Sequence, residues 1–286
     1  MIPKIIHYCW YGRGKLSPEI ELCLTSWRKY CPDYEIKLWN EDNTPMHIAW
    51  IKEAYRYQKY AFMADYMRFY ALYHYGGVYM DTDMLLIKPL DGFLMNKSFL
   101  GREDEHNASM GIIGTEKGDK LCAMCMDFYD KTKFDMVHPP IITRFITPHL
   151  FQYGFVESDV TQCLSNGLMV YQSSYFYPIH YSQQFDLGDI VPMPHSNQKN
   201  DYATCLDQCG DYGGYVKENV PTYGIHLWNK SWVDEISLLA QGRYAEGFPL
   251  VWKRFKLTPV LPLAYWKKVF KYLIKSLLKT GRKKSS

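Results

Sequence analysis

Apolar and polar positions along the first half of the chain alternate between two patterns. Short apolar runs, typical of buried strands, stand between longer segments with helical spacing. The predicted strands and extended segments are residues 2–8, 34–39, 78–80, 84–88, 99–102 and 111–114. The predicted helices are residues 18–30, 46–57, 60–75 and 117–129. This alternation predicts the α/β class, with a mostly parallel central sheet flanked by helices and a ligand beyond the carboxyl ends of its strands.

The predicted helix at residues 60–75 is apolar on most of its sides but carries two charged residues. Asp65 and Arg68 are spaced i, i+3, so they lie on the same face of the helix. An exposed ion pair of this kind contributes little to stability, whereas a polar pair on a mostly buried helix needs partners or a ligand. Asp65 and Arg68 are therefore candidate site residues.

Two aspartates follow the next predicted strand. Gly76 and Gly77 end the helix, a short apolar strand comes next, and Asp81 and Asp83 come directly after it. Carboxylate oxygens are the ligands that Mg²⁺ and Mn²⁺ prefer, so Asp-x-Asp at this place predicts a site for a hard divalent cation. A cation held there can bind a diphosphate, which indicates chemistry on a nucleotide. The tripeptide alone is a weak signal, because aspartates are common after strands.

The C-terminal segment combines apolar periodicity with concentrated positive charge. Apolar residues recur at the spacing of one helix face, at Trp266, Val269, Phe270, Leu273, Ile274, Leu277 and Leu278. Eight of the 33 Lys and Arg residues, and none of the 30 Asp and Glu residues, lie beyond Tyr265. The pattern predicts a basic amphipathic helix, which suits an anionic membrane surface along residues 265–284.

Other interpretations of this segment carry less weight. Docking of the helix on the body of the protein, with solvated lysines, remains the alternative. The lysines interrupt the apolar run too often for it to span a bilayer. No base-reading motif accompanies the charge, so we expect no nucleic acid partner.

Composition agrees with a single globular enzyme. The chain has 286 residues, of which 47% are hydrophobic and 16% aromatic, enough for one large core with an appended region. The N-terminus runs directly into the first predicted strand without a secretory leader, so we expect the eight cysteines to be reduced in the cytoplasm. The spacing of Cys122 and Cys125 is a weak zinc signal, because both fall in an apolar helical pattern.

Several segments together make the chain resemble glycosyltransferase family 32. The matching segments are residues 2–10 (IPKIIHYCW), 26–27 (SW), 32–34 (PDY), 38–40 (LWN), 64–69 (ADYMRF), 76–83 (GGVYMDTD) and 223–232 (YGIHLWNKSW). This family contains yeast-type initiating mannosyltransferases and many bacterial capsule and surface-polysaccharide transferases, and its core recurs in large clostridial glucosylating toxins. The resemblance implies a GT-A type nucleotide-diphospho-sugar transferase fold. We expect a catalytic domain at residues 1–245 and a membrane-associating region at residues 246–286.

The resemblance also implies a metal and a donor site. Asp83, and less directly Asp81, would bind the Mn²⁺ or Mg²⁺ that bridges the two phosphates of a UDP- or GDP-hexose. His226 resembles a late histidine that reaches back to the metal, and an imidazole ligand would favour Mn²⁺ somewhat. Asp65 would contact the ribose or the donor sugar, and Arg68 the sugar or phosphate region.

The remaining implied contacts lie at the two ends of the nucleotide. Trp10 would lie against the base, with Tyr8 in the same motif. Lys230, Ser231 and Trp232 resemble a segment that touches the leaving diphosphate, where a metal and a cationic side chain offset developing charge. The family implies retention of anomeric configuration. No residue identifies itself as a nucleophile, so the expected course is a front-face displacement in which the leaving phosphate takes the proton of the incoming hydroxyl.

These expectations combine into one hypothesis. The chain is predicted to be a peripheral membrane transferase on the inner face of the membrane, which adds a hexose to a glycan or lipid-linked acceptor in capsule- or O-antigen-like polysaccharide biosynthesis. The charged loop of Glu103, Asp104 and Glu105 is a candidate neighbour of the acceptor, although such loops are usually only solvated.

Three alternatives stay open. A toxin-like transferase acting on a protein would share the same catalytic residues. Asp81 and Asp83 also resemble the motif of aspartate-nucleophile phosphatases, although Met84 stands where those enzymes have Thr or Val. A non-catalytic protein that binds a sugar nucleotide or a membrane is the third.

Overall fold

The computed structural model describes residues 1–192, 202–210, 212–216, 219–229, 233–258 and 260–283. The strands are β1 (Ile5–Cys9), β2 (Glu35–Trp39), β3 (Gly77–Met80), β4 (Met84–Leu86), β5 (Ser98–Arg102), β6 (Ala108–Thr115), β7 (Gln162–Cys163), β8 (Leu168–Tyr171) and β9 (Gly224–His226). The helices are α1 (Pro18–Tyr30), α2 (Ala49–Arg56), α3 (Tyr60–Tyr75), α4 (Lys120–Lys131), α5 (Ile142–Leu150), α6 (Leu187–Ile190), α7 (Tyr202–Asp207), α8 (Glu235–Ala240), α9 (Tyr244–Leu257) and α10 (Leu263–Lys283).

The chain folds into two compact units. The first combines residues 1–45, 64–131 and 140–229, and the second combines residues 46–63, 132–139 and 230–286. All of the described strands lie in the first unit. The division into residues 1–245 and 246–286 stays a prediction.

The central sheet of the first unit has seven strands in the order β2-β1-β3-β6-β5-β8-β7. β1 is parallel to β2 and β3, and β5 is parallel to β8. β6 runs antiparallel to both β3 and β5, and β7 antiparallel to β8, so the parallel order is interrupted at β6 and again at the β7 edge. The predicted α/β class is confirmed, with a mixed central sheet. The predicted strand at residues 111–114 is the centre of the longer β6, which is buried throughout.

Helix α1 holds the segment that follows the Asp-x-Asp motif. Trp27 is fully buried, and its indole N–H donates to the carbonyl oxygen of Met84 at 2.7 Å. The backbone N–H of Leu86 donates to Ser26 Oγ at 2.9 Å. β4 in turn pairs antiparallel with β9, with Met84 opposite His226. A short second sheet therefore brings residues from late in the chain to the end of β3.

The turn between α3 and β3 requires two glycines. Gly76 and Gly77 have φ values of +66° and +103°, a region that favours glycine. A Cβ at Gly77 would lie 2.6 Å from the carbonyl oxygen of Ile5 in β1. This close approach sets β3 beside β1 and directs its carboxyl end toward the candidate site.

In the second unit, helices α9 and α10 are anchored to α8 by one buried carboxylate. Glu235 of α8 is buried, and its Oε1 accepts from Arg254 Nε at 2.9 Å and from the Tyr265 hydroxyl at 3.1 Å. Arg254 Nη1 also donates to the carbonyl oxygen of Tyr57 at 2.5 Å. Since a buried carboxylate needs such partners, these bonds fix where α10 begins.

The predicted C-terminal helix is present as α10, and its apolar positions divide into two groups. Tyr265 and Val269 are buried within the second unit. Beyond them, Phe270, Leu273, Ile274 and Leu278 are exposed by 38–65% of their surface. Among the described residues, no helix is long and apolar enough to cross a membrane.

Candidate active site

The two aspartates lie at the carboxyl end of β3, fixed by backbone hydrogen bonds on both sides. The Asp81 N–H donates to the carbonyl oxygen of Gly111 in β6 at 2.8 Å, and the Met84 N–H donates to that of Asp81 at 3.0 Å. The Leu227 N–H donates to the carbonyl oxygen of Asp83 at 2.9 Å. The motif is thus a tight turn between β3 and β4, and its side chains point beyond the sheet edge.

Asp83 pairs with the histidine of β9. His226 Nε2 lies 3.3 Å from Asp83 Oδ1, and the backbone N–H of Asn229 donates to Asp83 Oδ2 at 2.8 Å. Burial by itself raises the pKa of Asp83, but the histidine and these hydrogen bonds outweigh it, so the pKa lies below its ordinary value. Burial lowers the pKa of His226, yet Asp83 beside it gives a net rise. The pair is therefore an ionised carboxylate beside an imidazole that Asp83 and Asp81 hold toward its protonated form.

The donor set fits a divalent cation. Asp81, Asp83 and His226 each offer one ligand atom, and these atoms lie within 4.8 Å of one another. His226 Nδ1 is buried and has no hydrogen-bond partner among the described residues. Carboxylate oxygens with an imidazole nitrogen suit Mn²⁺ better than Mg²⁺, and a cation with few protein ligands keeps positions for phosphate oxygens.

Arg68 of α3 connects the two other acidic residues of the site. Its Nη2 lies 2.7 Å from Asp65 Oδ1 and 3.4 Å from Asp81 Oδ1, and its Nη1 donates to the carbonyl oxygen of Met110 at 2.5 Å. The guanidinium also lies over the ring of Tyr79, 4.7 Å from its centroid, and the Tyr79 hydroxyl donates to Asp81 Oδ1 at 2.9 Å. The polar pair on the buried helix therefore has partners, and one of them is the first aspartate of the motif.

The acidic groups around Arg68 have raised pKa values because they are buried. Burial raises the pKa of Asp65 to about 6, although Arg68 opposes the rise. Burial also raises the pKa of Asp81, again against the charge of Arg68 and with the charge of Asp83 adding to the rise. Anions crowded in this way are favourable sites for a cation, which would lower both pKa values when bound.

A glycine in β6 leaves open the space between these groups. A Cβ at Gly111 would lie 2.8 Å from the Tyr177 hydroxyl, 3.2 Å from Asp81 Oδ2 and 3.4 Å from His226 Cδ2. The ring of Tyr177 lies 5.4 Å from that of His226, and Trp228 lies edge-on to the same imidazole at 4.2 Å. Aromatic rings therefore form one wall of the site and restrict the orientation of the histidine.

The two residues predicted to contact the nucleotide-sugar, Tyr8 in β1 and Trp10 just after it, differ in burial. Trp10 is half-buried, and its indole N–H donates to the carbonyl oxygen of Gly14 at 2.8 Å. Tyr8 is buried, with its ring 5.7 Å from that of Trp27 in an edge-to-face contact. The predicted contacts at Lys230, Ser231 and Trp232 lie outside the described residues.

Sequence reasoning missed several residues that complete the site. Tyr79 lies inside the matched motif, but in the sequence it looks like an ordinary residue of a short buried strand. Tyr177 lies in a segment with no recognisable motif, and only its close approach to Gly101 and Gly111 reveals it. The buried run of β6 was a signal for the strand, although not for which of its glycines faces the site.

Residues 17–100 match the family model described as "Glycosyltransferase sugar-binding region containing DXD motif". This segment of the chain is therefore similar to that sugar-binding region. The matched segment contains Asp65, Arg68, Asp81 and Asp83 and ends well before His226. The resemblance to sugar transferases expected from the motifs is thereby confirmed.

Curated relatives extend the similarity to lipid-directed transferases. The chain is 29% identical over 159 residues to inositol phosphoceramide mannosyltransferase 3 of Schizosaccharomyces pombe, covering 52% of this chain and 43% of the relative. It is 31% identical over 127 residues to inositol phosphoceramide mannosyltransferase 2 of the same yeast, covering 40% and 34%. The chain spans less than half the length of these two curated relatives.

Among solved structures, the PaToxG glycosyltransferase is similar at 16% identity with a TM-score of 0.41, covering 53% of this chain and 68% of that one.

Proposed function

We propose that this protein is a metal-dependent, retaining hexosyltransferase that moves a hexose from a UDP- or GDP-sugar to a glycan or lipid-linked acceptor of a surface polysaccharide. The observation that carries this proposal is the meeting of Asp81, Asp83 and His226, whose ligand atoms lie within 4.8 Å of one another. A carboxylate pair with one imidazole suits a cation that must still bind a diphosphate.

The side chains around this group support the same reaction. A bound divalent cation would supply positive charge where the leaving diphosphate becomes negative. Arg68 holds Asp65 and Asp81 through its Nη2 and adds a permanent positive charge beside the donor. Asp65 would orient the donor sugar or ribose by accepting hydrogen bonds from its hydroxyls. Trp10 would lie against the nucleobase of the donor, which is the role that the family resemblance implies for it.

The names of the relatives guide the choice of the donor sugar and the acceptor to test first. Both fungal relatives are named for mannosyl transfer to inositol phosphoceramide, a lipid. A lipid-linked acceptor also agrees with the basic C-terminal helix. GDP-mannose is therefore the first donor to test, and other UDP- and GDP-hexoses complete the panel.

The test is release of nucleoside diphosphate from this panel in the presence of Mn²⁺, compared between the wild type and Asp83→Ala. We expect slow release without an acceptor, abolished by a chelator and reduced at least 100-fold by the substitution. Asp127→Ala is the matched control, because Asp127 is exposed on α4 and pairs with Lys131 one helical turn away. Its release rate should equal that of the wild type.

Other outcomes separate the alternatives. Phosphate release from a generic phosphomonoester, with no release from sugar nucleotides, would replace the proposal by the phosphatase interpretation. Metal-dependent nucleotide binding without turnover of any donor, in the presence of lipid and glycan acceptors, would favour a binding protein. Transfer to a protein acceptor alone would favour the toxin-like alternative.

We further propose that α10 holds the protein at the inner face of a membrane. Phe270, Leu273, Ile274 and Leu278 are exposed on one side of the helix. Exposed Lys267, Lys271 and Lys275 recur every fourth residue along its flank. Apolar residues bordered by lysines match the interface of an anionic leaflet. The apolar side chains would insert among the lipid acyl chains, and the lysines would contact the anionic head groups.

Binding to vesicles tests this surface. Deletion from Tyr265 onward would also remove the hydroxyl that bonds Glu235, so a cut after Val269 is the cleaner variant. We expect it to release the protein from vesicles of phosphatidylcholine and phosphatidylglycerol. Replacing Lys267, Lys271 and Lys275 by glutamine removes about 1 kcal/mol per lysine, on the order of a 100-fold loss of affinity. Lys52→Gln, on exposed surface of α2, is the control for loss of one lysine outside α10. Undiminished binding of the truncated chain would contradict the proposal.

A further inference from the structure

A fourth carboxylate lies beside the candidate active site on a bulged strand. The pairing of β5 with β6 shifts register between Leu100 and Arg102, so Gly101 stands at an irregularity in the ladder. A Cβ at Gly101 would lie 2.7 Å from the ring of Tyr177, which is the ring that also packs near His226. Bulges of this kind bend a strand and occur next to active sites. Glu103 follows this strand directly, two residues beyond Gly101.

The loop that carries Glu103 is rigidly held. Arg102 is fully buried, and its guanidinium donates to five backbone carbonyl oxygens, those of Asp104, Glu105, Val156, Ser158 and Val160. It also lies over the ring of Phe155, 4.5 Å from the centroid. The Glu103 N–H donates to the carbonyl oxygen of Asn107 at 2.9 Å, which closes the turn. Glu103 is therefore not on a freely solvated charged loop, as such loops usually are.

A short relay connects Glu103 to the metal-binding aspartate. Ser109 Oγ donates to Glu103 Oε1 at 3.2 Å and accepts from the Gly111 N–H at 3.4 Å. The carbonyl oxygen of Gly111 accepts from the Asp81 N–H at 2.8 Å. Glu103 and Asp81 therefore follow the carboxyl ends of β5 and β3, the two strands that flank β6 and its Gly111.

Among the described residues, Glu103 differs from the other acids of the site in forming no ion pair within 4.0 Å. Asp65 and Asp81 pair with Arg68, and Asp83 pairs with His226. In the described part of the chain, the hydrogen bond to Ser109 is the one that reaches the Glu103 carboxylate. Burial raises the pKa of Glu103 to about 7; His226 opposes this rise, and Asp104 and Asp81 add to it. A carboxylate placed in this way is half ionised near neutral pH, which suits a group that takes up a proton.

We propose that Glu103 binds the attacking hydroxyl of the acceptor and takes its proton. The acceptor is a sugar or polyol hydroxyl, or water when no acceptor is present. Its oxygen forms a bond to the anomeric carbon as the bond from that carbon to the phosphate oxygen breaks. The electron pair leaves with the nucleoside diphosphate, and the hydroxyl proton moves to a Glu103 oxygen and from there to solvent. Glu103, and not the leaving phosphate, is then the base of the reaction.

This inference rests on the proposed transferase activity, and donor hydrolysis with water as acceptor tests it. In Glu103→Gln we expect kcat for nucleotide release to fall about 100-fold, as loss of a general base does. The KM for the donor and the Kd for the Mn²⁺ complex of the nucleoside diphosphate should stay within about threefold of the wild type. Glu105→Gln is the matched control, since Glu105 is exposed two residues away, and its kcat should not change.

The pH profile adds a readout that a purely structural role would not move. The base must be ionised, so wild-type kcat should rise as the pH rises through about 7, and Glu103→Gln should lack this rise. An unchanged kcat, or a loss of nucleotide binding together with turnover, would overturn the assignment. A wild type that releases no nucleotide from any donor would instead refute the transferase proposal itself.

Discussion

Met84 and His226 are paired residues of an antiparallel two-stranded sheet, and this pairing sets His226 Nε2 3.3 Å from Asp83 Oδ1. The register explains the contact, because Met84 follows Asp83 directly. Trp27 donates to the carbonyl oxygen of Met84 and fixes the same segment from the other side. The local motif thereby has beside it an imidazole from a distant part of the chain, the third candidate ligand of the proposed site.

Loss of this histidine should change both metal affinity and metal preference. In His226→Asn we expect the Mn²⁺ concentration for half-maximal nucleotide release to rise by 10- to 100-fold, since one of three protein ligands is lost. The advantage of Mn²⁺ over Mg²⁺ should shrink, because imidazole is the ligand that favours the transition metal. Metal titrations of release measure both effects. His106→Asn changes an exposed histidine and should leave the titrations unaltered; an equal Mn²⁺ requirement in His226→Asn would show that it is not a ligand.

Conservative replacement of Arg68 should be costly. A lysine keeps the charge but cannot contact Asp65, Asp81 and the Met110 carbonyl together. For Arg68→Lys we expect a loss of about 1–3 kcal/mol in the free energy of unfolding, because a buried acceptor loses its partner. Turnover should fall at least tenfold. Urea unfolding and donor hydrolysis are the measurements. Arg243→Lys, at an exposed pair with Glu246, should change neither.

A single methyl group at Gly111 should obstruct the site. The added Cβ of Gly111→Ala would meet the Tyr177 hydroxyl at 2.8 Å and Asp81 Oδ2 at 3.2 Å. Overpacking of this kind costs about 1–3 kcal/mol, and here one of the groups that must move is Asp81, a proposed metal ligand. We expect weaker Mn²⁺-dependent nucleotide binding in calorimetry. Gly92→Ala is the control, because nothing lies within 4 Å of its added Cβ. Equal binding by both variants would refute this role for Gly111.

The protein should become less stable as the pH falls, because β1 contains a buried neutral histidine. His7 Nε2 lies 2.8 Å from the Gly76 carbonyl oxygen, and its Nδ1 accepts from the Trp39 indole N–H at 3.2 Å. Burial lowers the pKa of His7 to about 4, from 6.5 in the unfolded chain. Below pH 6.5 the unfolded chain therefore binds a proton that the folded chain does not.

The contribution of His7 is fully present above pH 6.5 and is lost as the pH falls toward 4. Over this window the free energy of unfolding should decrease by about 3 kcal/mol from this residue. Urea unfolding between pH 4 and 7 measures it. His7→Gln should lower stability at pH 7 and flatten the dependence, whereas His47→Gln, at an exposed histidine of the second unit, should keep the slope. A wild-type slope retained in His7→Gln would assign it to other groups.

Local sequence pattern predicted the elements around the motif well. The bounds predicted for α1 and α3 are those observed, because apolar spacing and flanking Pro or Gly residues define them within the segment itself. The reversed direction of β6 could not be predicted, since direction depends on which distant strand it contacts. Glu103 was indistinguishable in sequence from its exposed neighbours. Its burial depends on Arg102, whose five acceptors include three carbonyl groups from residues 156–160.

The pairing of β4 with β9 sets a minimum length for a working enzyme. The segment recognised by the family model stops at residue 100, whereas β9 begins at Gly224. A recombinant fragment cut to the recognised segment would keep both aspartates and lose the imidazole, the tyrosine wall and Glu103. Such a fragment would keep the sequence motif of the family and lose the side chains proposed to act in the reaction. For the same reason, a short sequence match to this motif does not show that a protein can transfer a sugar.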